Sequence, residues 1–238
     1  MTREAGSPSV GIIGAGRLGT VLAGRATASG HRTLVAGSGG PETLRAHLRV
    51  RVPGADAVTR EEAASADVVF LALPLGQLDT LPREQLRGRV VVDAMNHWWE
   101  TDGIRPDLTD PHTSTSEIVQ SRLPGARVVK AFNHMAYRDI DELWASAGDP
   151  ARNAIAIAGD DADAVALVAH LTDAFGFDPL LIGSLAQGVR LEPDTVAFGV
   201  TDSSAGLRRA IEMFPQTPRG RAVLAVRELP DLPSVVSG

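Results

Sequence analysis

The chain has no cysteine, which excludes disulfides, thiolate metal sites and a thiol nucleophile. Lysine is almost as scarce: of the 23 basic residues only Lys130 is lysine. With Ala, Gly and Pro abundant, this reads as the codon bias of a GC-rich bacterial genome and says nothing about fold. Aromatic residues make up only 4%, with a single tyrosine, Tyr137. Asp141 follows it at the Tyr-x-x-x-Lys spacing, and neither His-Glu-x-x-His nor Gly-x-Ser-x-Gly occurs, so three familiar catalytic signatures are missing. No apolar run approaches the roughly 18 residues of a membrane helix, and the opening MTREAGSPS lacks an apolar signal core. No membrane contact is expected, and a cytoplasmic location is the default. The net charge of -6 comes without a basic tract, which argues against nucleic acid as a partner. What is left is ordinary for a folded protein: 238 residues, 44% hydrophobic and 22% charged, enough for one large domain or a main domain with a small appendage.

SVGIIGAGRLGTVLAGRATASGHRTLVAG opens with an apolar run, Val10 to Ile13, and then places Gly14, Gly16 and Gly19 in the G-x-G-x-x-G spacing. A helical segment follows to about Ser29, Gly30 stops it, and Thr33 to Ala36 reads as a second strand. Strand, glycine turn, helix and strand form the context in which this fingerprint binds a dinucleotide. Gly14 permits the tight turn, Gly16 lets the backbone approach a pyrophosphate, and Gly19 lets the helix pack closely on the strand. Arg17 and Leu18, inside the turn, complete the expected cofactor contacts, and the helix N–H groups face the phosphates. An NAD site usually carries an acid at the end of the second strand to hold the ribose 2′-OH. Here that place reads Ala36-Gly37-Ser38-Gly39-Gly40, and the first acid is Glu42. With no carboxylate to repel a 2′-phosphate, and with Ser38 and the Gly39 and Gly40 N–H groups able to donate, NADP(H) is favoured over NAD. Arg17 or Arg45 is the candidate for the missing positive charge.

The remainder continues as a parallel α/β protein. Asp67 to Leu73, Val90 to Asp93, Arg127 to Ala131 and Ala154 to Ala158 are buried-strand runs. Helical stretches are expected at Pro41 to Leu48, Glu61 to Ala64, Gly76 to Leu81, Ser116 to Leu123 and Asp161 to Phe175. The fold class is therefore α/β, a doubly wound, mostly parallel Rossmann sheet with a right-handed crossover for each unit and a small C-terminal segment. The expected division is an NADP-binding domain over 8–182 and an appendage over 183–238 that covers the crevice or a dimer interface. That appendage carries a helix near Ser204 to Phe214, and its tail LPDLPSVVSG reads as loosely held. Ligands in such sheets sit beyond the carboxyl ends of the strands. Leu73 and Pro74, Asn96 to Trp99, and Phe132 to Met135 should therefore converge on one rim.

The glycine turn, the absent acid, TSTSEIVQ, VVKAFNHM and the late GDD…RLEP together resemble the F420-dependent NADP oxidoreductase family, to which the reductase domain of the STEAP metalloreductases is related. The resemblance covers about residues 8 to 193. It implies a Rossmann domain with a small C-terminal part, often dimeric, carrying hydride between NADP(H) and a flavin-like ring. Position by position, it assigns Gly14, Gly16 and Gly19 to the phosphate turn and Ser38 to the 2′-phosphate. It further assigns Leu73 and Pro74 to the adenine side and pyrophosphate, and Asn133 and His134 to the nicotinamide. Two departures stand out: Gly39 occupies the place where the family commonly has Arg, and Trp98-Trp99 has no counterpart in the F420 enzymes.

Hydride transfer to a stacked ring needs orientation and exclusion of water more than an acid or base, so a short catalytic list is expected. His134, Asn133 and His97 are its candidates, as proton donors or as polar groups that hold the ligand. Asn96 is placed to contact the cofactor, and Met135, Trp98 and Trp99 to contact the second substrate. The two tryptophans either wall that site or fill a gap against the C-terminal segment or a dimer partner. Ser114 and Glu117 form a capping-box pattern, Lys130 reads as structural, and Asp160, Asp161 and Asp163 read as a helix start, so no metal is expected. Arg190 and Glu192 are placed to pair with each other or to fix the C-terminal segment. Arg208 and Arg209 are candidates for the anionic tail of F420. The competing functions are reduction of a small C=N or C=O substrate, with a histidine as proton donor, and a non-catalytic NADP(H) sensor.

Overall fold

The computed structural model describes residues 7–233. Eight strands form one sheet: β1 (Val10–Ile13), β2 (Thr33–Ala36), β3 (Asp56–Ala57), β4 (Val68–Leu71), β5 (Val90–Asp93), β6 (Arg127–Lys130), β7 (Ala154–Gly159) and β8 (Asp178–Gly183). Their order is β3-β2-β1-β4-β5-β6-β7-β8, the arrangement of a doubly wound sheet. The helices that position the site are α1 (Arg17–Ala28), α2 (Gly40–Arg51), α3 (Arg60–Ala64), α4 (Arg83–Leu86), α5 (Trp99–Asp102), α6 (Pro106–Thr109), α7 (Thr115–Arg122), α8 (Tyr137–Glu142) and α9 (Ala162–Ala174). Two C-terminal helices follow, α10 (Ser204–Glu212) and α11 (Pro218–Leu224).

The central strands are continuous apolar runs because both faces of the sheet are covered. Side chains alternate between two cores: Ile12, Phe70 and Val92 face α1 and α9, while Ile13, Leu71 and Val91 face α3 and α7. Each buried Val, Ile, Leu or Phe contributes about 1.5–3 kcal/mol. Every neighbouring pair is parallel except β6 and β7, where Val129 faces Gly159 and Lys130 faces Ala158 in antiparallel register. A crossover for each unit is thus not what the chain does. The β6–β7 connection carries only the six-residue α8, and an antiparallel pair needs no sheet-spanning helix.

Local signals account for several helix starts. Ser114 and Glu117 form the reciprocal capping box of α7, and Asp161 caps α9 by accepting from the Ala164 N–H at 2.8 Å. Past β8, a 3₁₀ segment at Leu185–Leu191 and α10 cover Ala154, Ala156, Ala158, Leu180 and Ile182 with Leu191, Leu207 and Ile211. The tail is not loose where it is described. The Gln187 amide donates to the Pro230 carbonyl and Arg208 to the Pro233 carbonyl, each at 2.6 Å, while Leu229 and Leu232 pack inward. Ser234 to Gly238 lie outside the described residues.

Candidate functional site

The glycine turn separates into packing and ligand positions. Gly14 has φ 116, and a Cβ there would stand 2.2 Å from the Ala72 carbonyl oxygen. A Cβ on Gly19 would stand 1.7 Å from the Gly14 oxygen, so these two glycines serve helix, turn and strand packing. Gly16 has no neighbour within 4 Å of its Cβ position, and as N-cap of α1 it offers no side-chain acceptor. The free N–H groups of α1 and the positive end of its dipole are thereby left open to an anion. These residues fit the diphosphate of a dinucleotide.

A cavity of about 420 Å³ runs from this turn across the carboxyl ends of β1, β2 and β4. Gly14 and Gly16, then Ser38, Gly39 and Gly40, and finally Leu73 and Pro74 line it. The structure thus gathers in one crevice residues from three separate stretches of sequence. His47, Arg60 and Gln77 also line it, and sequence reading had no signal for them because each arrives from a different element. Neither candidate for the positive charge is in place. Arg45 is paired with Glu42 at 2.8 Å on the surface. Arg17 stands 5.7 Å over the Tyr137 ring, in a neighbouring cavity of about 450 Å³ shared with Arg51, Arg138 and Asp141. Leu18 packs against the core beneath the turn.

At the rim, the amide of Asn96 donates to the Asn133 carbonyl at 2.9 Å, and the Asn133 amide donates back to Asn96 Oδ1 at 3.0 Å and to the Leu191 carbonyl at 2.7 Å. The ends of β5 and β6 are thereby locked together. Among the described residues Asn133 Oδ1 is buried without a partner, a deficit of about 1–3 kcal/mol. Below this pair, Lys130, fully buried, donates to the Met95 carbonyl at 2.6 Å and to Asp93 at 3.2 Å, and Ser116 donates to the same carboxylate at 2.6 Å. The strand-end role read for Lys130 is the one it has. Asp102, which sequence reading passed over, accepts from the Gly76 N–H at 2.8 Å and from the Trp98 N–H at 3.0 Å. It ties the tryptophan loop to the loop after Pro74. Trp98 meets Phe198 of the C-terminal segment edge-on at 5.6 Å and keeps 43% exposure, while Trp99 is 67% exposed.

His134 and Met135 do not face this rim. Phe132 takes a left-handed conformation, φ 62, stabilised by its packing against Phe70 and Phe175 at 5.8 and 5.9 Å. Beyond that turn the chain runs inward: Met135 joins the main core, and His134 is 1% exposed. Its Nε2 accepts from the Ala156 N–H at 3.1 Å, so the ring is the Nδ1–H tautomer. Burial lowers its pKa to about 4, against a raising influence of the Val200 carbonyl, and Lys130 adds to the lowering. The ring is a buried acceptor for the Ala156 N–H, set away from the rim at which a proton-donor role was expected of it.

His97 lies instead in a cavity of about 190 Å³ with Thr115, Glu192, Asp194 and Arg219, where its Nε2 donates to the Gly103 carbonyl at 3.1 Å. Glu192 accepts from the Thr115 N–H at 2.7 Å and from Arg219 at 3.2 Å. Burial raises its pKa, with those two donors opposing the shift. Arg190 does not pair with Glu192; it donates to Gln187 at 2.6 Å and lies over Phe214 at 5.2 Å. Arg208 is held by Glu212 at 3.1 Å and by the tail.

Among the described residues there is no group of carboxylates and imidazoles able to hold a metal, and no helix long and apolar enough to cross a membrane. Residues 9–97 match the family described as NADP oxidoreductase, coenzyme F420-dependent. The chain is 31% identical to the metalloreductase STEAP3 of Rattus norvegicus over 192 residues, which is 78% of this chain but 36% of that protein's length. Among solved structures, a hypothetical protein from Sinorhizobium meliloti is 30% identical, with 82% of this chain and 94% of the other aligned at a TM-score of 0.69. A protein from Arthrobacter sp. FB24 described as an F420-dependent NADP reductase shares the fold at 22% identity and a TM-score of 0.65, covering 88% and 92% of the two chains. Over residues 9–97 the chain carries the nucleotide-binding module of the family described as NADP oxidoreductase, coenzyme F420-dependent.

Proposed function

We propose that this protein transfers hydride between NADP(H) and a deazaflavin (F420) or flavin-like ring laid against the tryptophan rim. The observation that carries the reading is the exposure of Trp99 and Trp98, 67% and 43%, on a loop that Asp102 fastens beside Pro74 at the mouth of the nucleotide crevice. Large apolar rings left in water at a cofactor mouth offer a face on which a second ring stacks. The α1 amino terminus and Gly16 hold the diphosphate, while Ser38 donates to the ribose phosphate. Leu73 and Pro74 cover the nucleotide. Asn133 Oδ1 takes a donor from the carboxamide, with Asn96 fixing its orientation. The nicotinamide, when bound, supplies the hydride. The chain's part is to align two rings and exclude water, which requires no acid/base pair at the crevice.

Saturating NADPH should lose its nicotinamide absorbance on addition of oxidised F420, FMN or FAD, with tryptophan emission quenched as the acceptor binds. No oxidation with any of the three refutes the proposal, and tight NADPH binding alone would point to a sensor. A second reading, reduction of a small C=O or C=N substrate, is favoured by the cavity lined by both His97 and Glu192, whose pKa burial raises. A His97→Gln variant separates the two: the small-substrate reaction loses its proton donor and its rate, whereas transfer to a flavin-like ring keeps its rate.

A further inference from the structure

The 2′-phosphate of NADP(H) carries close to two negative charges, and Ser38 alone offers one neutral hydroxyl. Gly39 stands where an arginine would supply the countercharge; Arg45 is paired with Glu42 on the surface, and Arg17 stands over Tyr137 in the neighbouring cavity, which shares Gly16 and His47 with this one. The residues lining the cavity of about 420 Å³ include no carboxylate and two cationic or potentially cationic side chains, His47 from α2 and Arg60 from α3. Arg60 has no carboxylate partner among the described residues. Its Nη1 donates to Thr80 Oγ1 at 2.6 Å, and that hydroxyl donates to the Gln77 carbonyl at 2.7 Å. Gln77 itself lines the cavity. One corner of the guanidinium is thus anchored while its other N–H donors stay free, an arrangement suited to an oxyanion. The twelve-residue α2 begins at the same place: Gly39 is its N-cap, makes no side-chain bond, and leaves the first N–H groups open.

We propose that Arg60, assisted by His47, reads the 2′-phosphate in this chain and takes the place of the arginine missing after Ser38. The inference rests on the reading that the crevice holds NADP(H). Replacing Arg60 does not disturb the cap of α3, because Thr59 and Glu62 make that capping box between themselves. Nor is Gly39 closed to a larger side chain: its φ is -90, and a Cβ there would meet only the Thr43 side chain at 3.4 Å.

The test is calorimetric titration with adenosine 2′,5′-bisphosphate and with 5′-AMP, two ligands that differ in the phosphate alone. The wild type should prefer the bisphosphate. Arg60→Gln should weaken the bisphosphate roughly tenfold, the loss of one charge-assisted hydrogen bond at a half-exposed site, and leave AMP unchanged. His47→Gln should produce a smaller loss of the same sign, and Gly39→Arg placed in the Arg60→Gln protein should recover the preference. Equal loss for both ligands, or undiminished bisphosphate affinity in Arg60→Gln, overturns the proposal. Should Arg60→Gln fail to fold, His47→Gln decides by the same comparison: its side chain is exposed and makes no hydrogen bond among the described residues. Neither probe carries a nicotinamide or meets a hydride acceptor. A protein that reads the phosphate through Arg60 yet reduces no flavin-like ring would therefore keep this inference and lose the acceptor assignment.

Discussion

Mild acid should destabilise the fold through one side chain, His134. Its folded-state pKa is about 4 against an ordinary value of 6.5, chiefly because the ring is fully buried. Between those values the unfolded ring takes a proton that the folded ring refuses. Its share of stability is therefore whole above 6.5 and drains away as the pH falls toward 4. At about pH 5 the shortfall amounts to about 2 kcal/mol, a sizeable fraction of the 5–15 kcal/mol typical of a folded domain. Urea unfolding of the wild type and of His134→Gln at about pH 7.5 and about pH 5 isolates this contribution. Glutamine keeps an oxygen for the Ala156 N–H and does not titrate. Whatever the substitution costs at neutral pH, the variant should lose about 2 kcal/mol less than the wild type between the two conditions. The same acid-induced loss in both proteins would refute the assignment, and the ring would then have to be accessible to protons in the folded state.

The two kinds of glycine in the turn should separate cleanly. Gly19→Ala drives a methyl group into the Gly14 carbonyl and should cost about 1–3 kcal/mol or more in thermal unfolding. Gly16→Ala enters open space and should leave stability within about 1 kcal/mol while weakening NADPH binding, read by tryptophan quenching. Asp102→Ala removes the acceptor shared by Gly76 and Trp98. It should cost about 1 kcal/mol, shift tryptophan emission and slow transfer to the second ring by a larger factor than it weakens NADPH binding in titration. Lys130→Met leaves Asp93 charged and unpaired in the core, a loss of about 3–5 kcal/mol in denaturation, and adding Asp93→Asn should restore part of it.

The parallel core was legible because strands covered on both faces must be apolar along their whole length, as in Val68–Leu71 and Val90–Asp93. Where one face is open the signal weakens. Asp56–Ala57 is two residues at the sheet edge, and Asp178–Gly183 contains a proline and alternates between buried and exposed positions, so apolar runs reveal neither. Direction is invisible in AIAIA, which reads alike whether its strand runs with or against its neighbour. The roles of Gly14, Gly16 and Gly19 follow from spacing because the turn is local. Those of His134 and Met135 do not, because the left-handed Phe132 reverses the course of the chain. Asp102 and Arg60 make contacts across elements that only the folded chain creates, and His47 reaches the crevice wall from α2.

The burial of Lys130 has a practical corollary. It is the only lysine in the sequence and has no exposed surface, so every primary amine other than the chain terminus is sealed within the core. Acylating and cross-linking reagents that seek lysine will find none on the native surface, although it is rich in guanidinium groups. Amine labelling at this one position therefore becomes a direct clock for opening of the sheet.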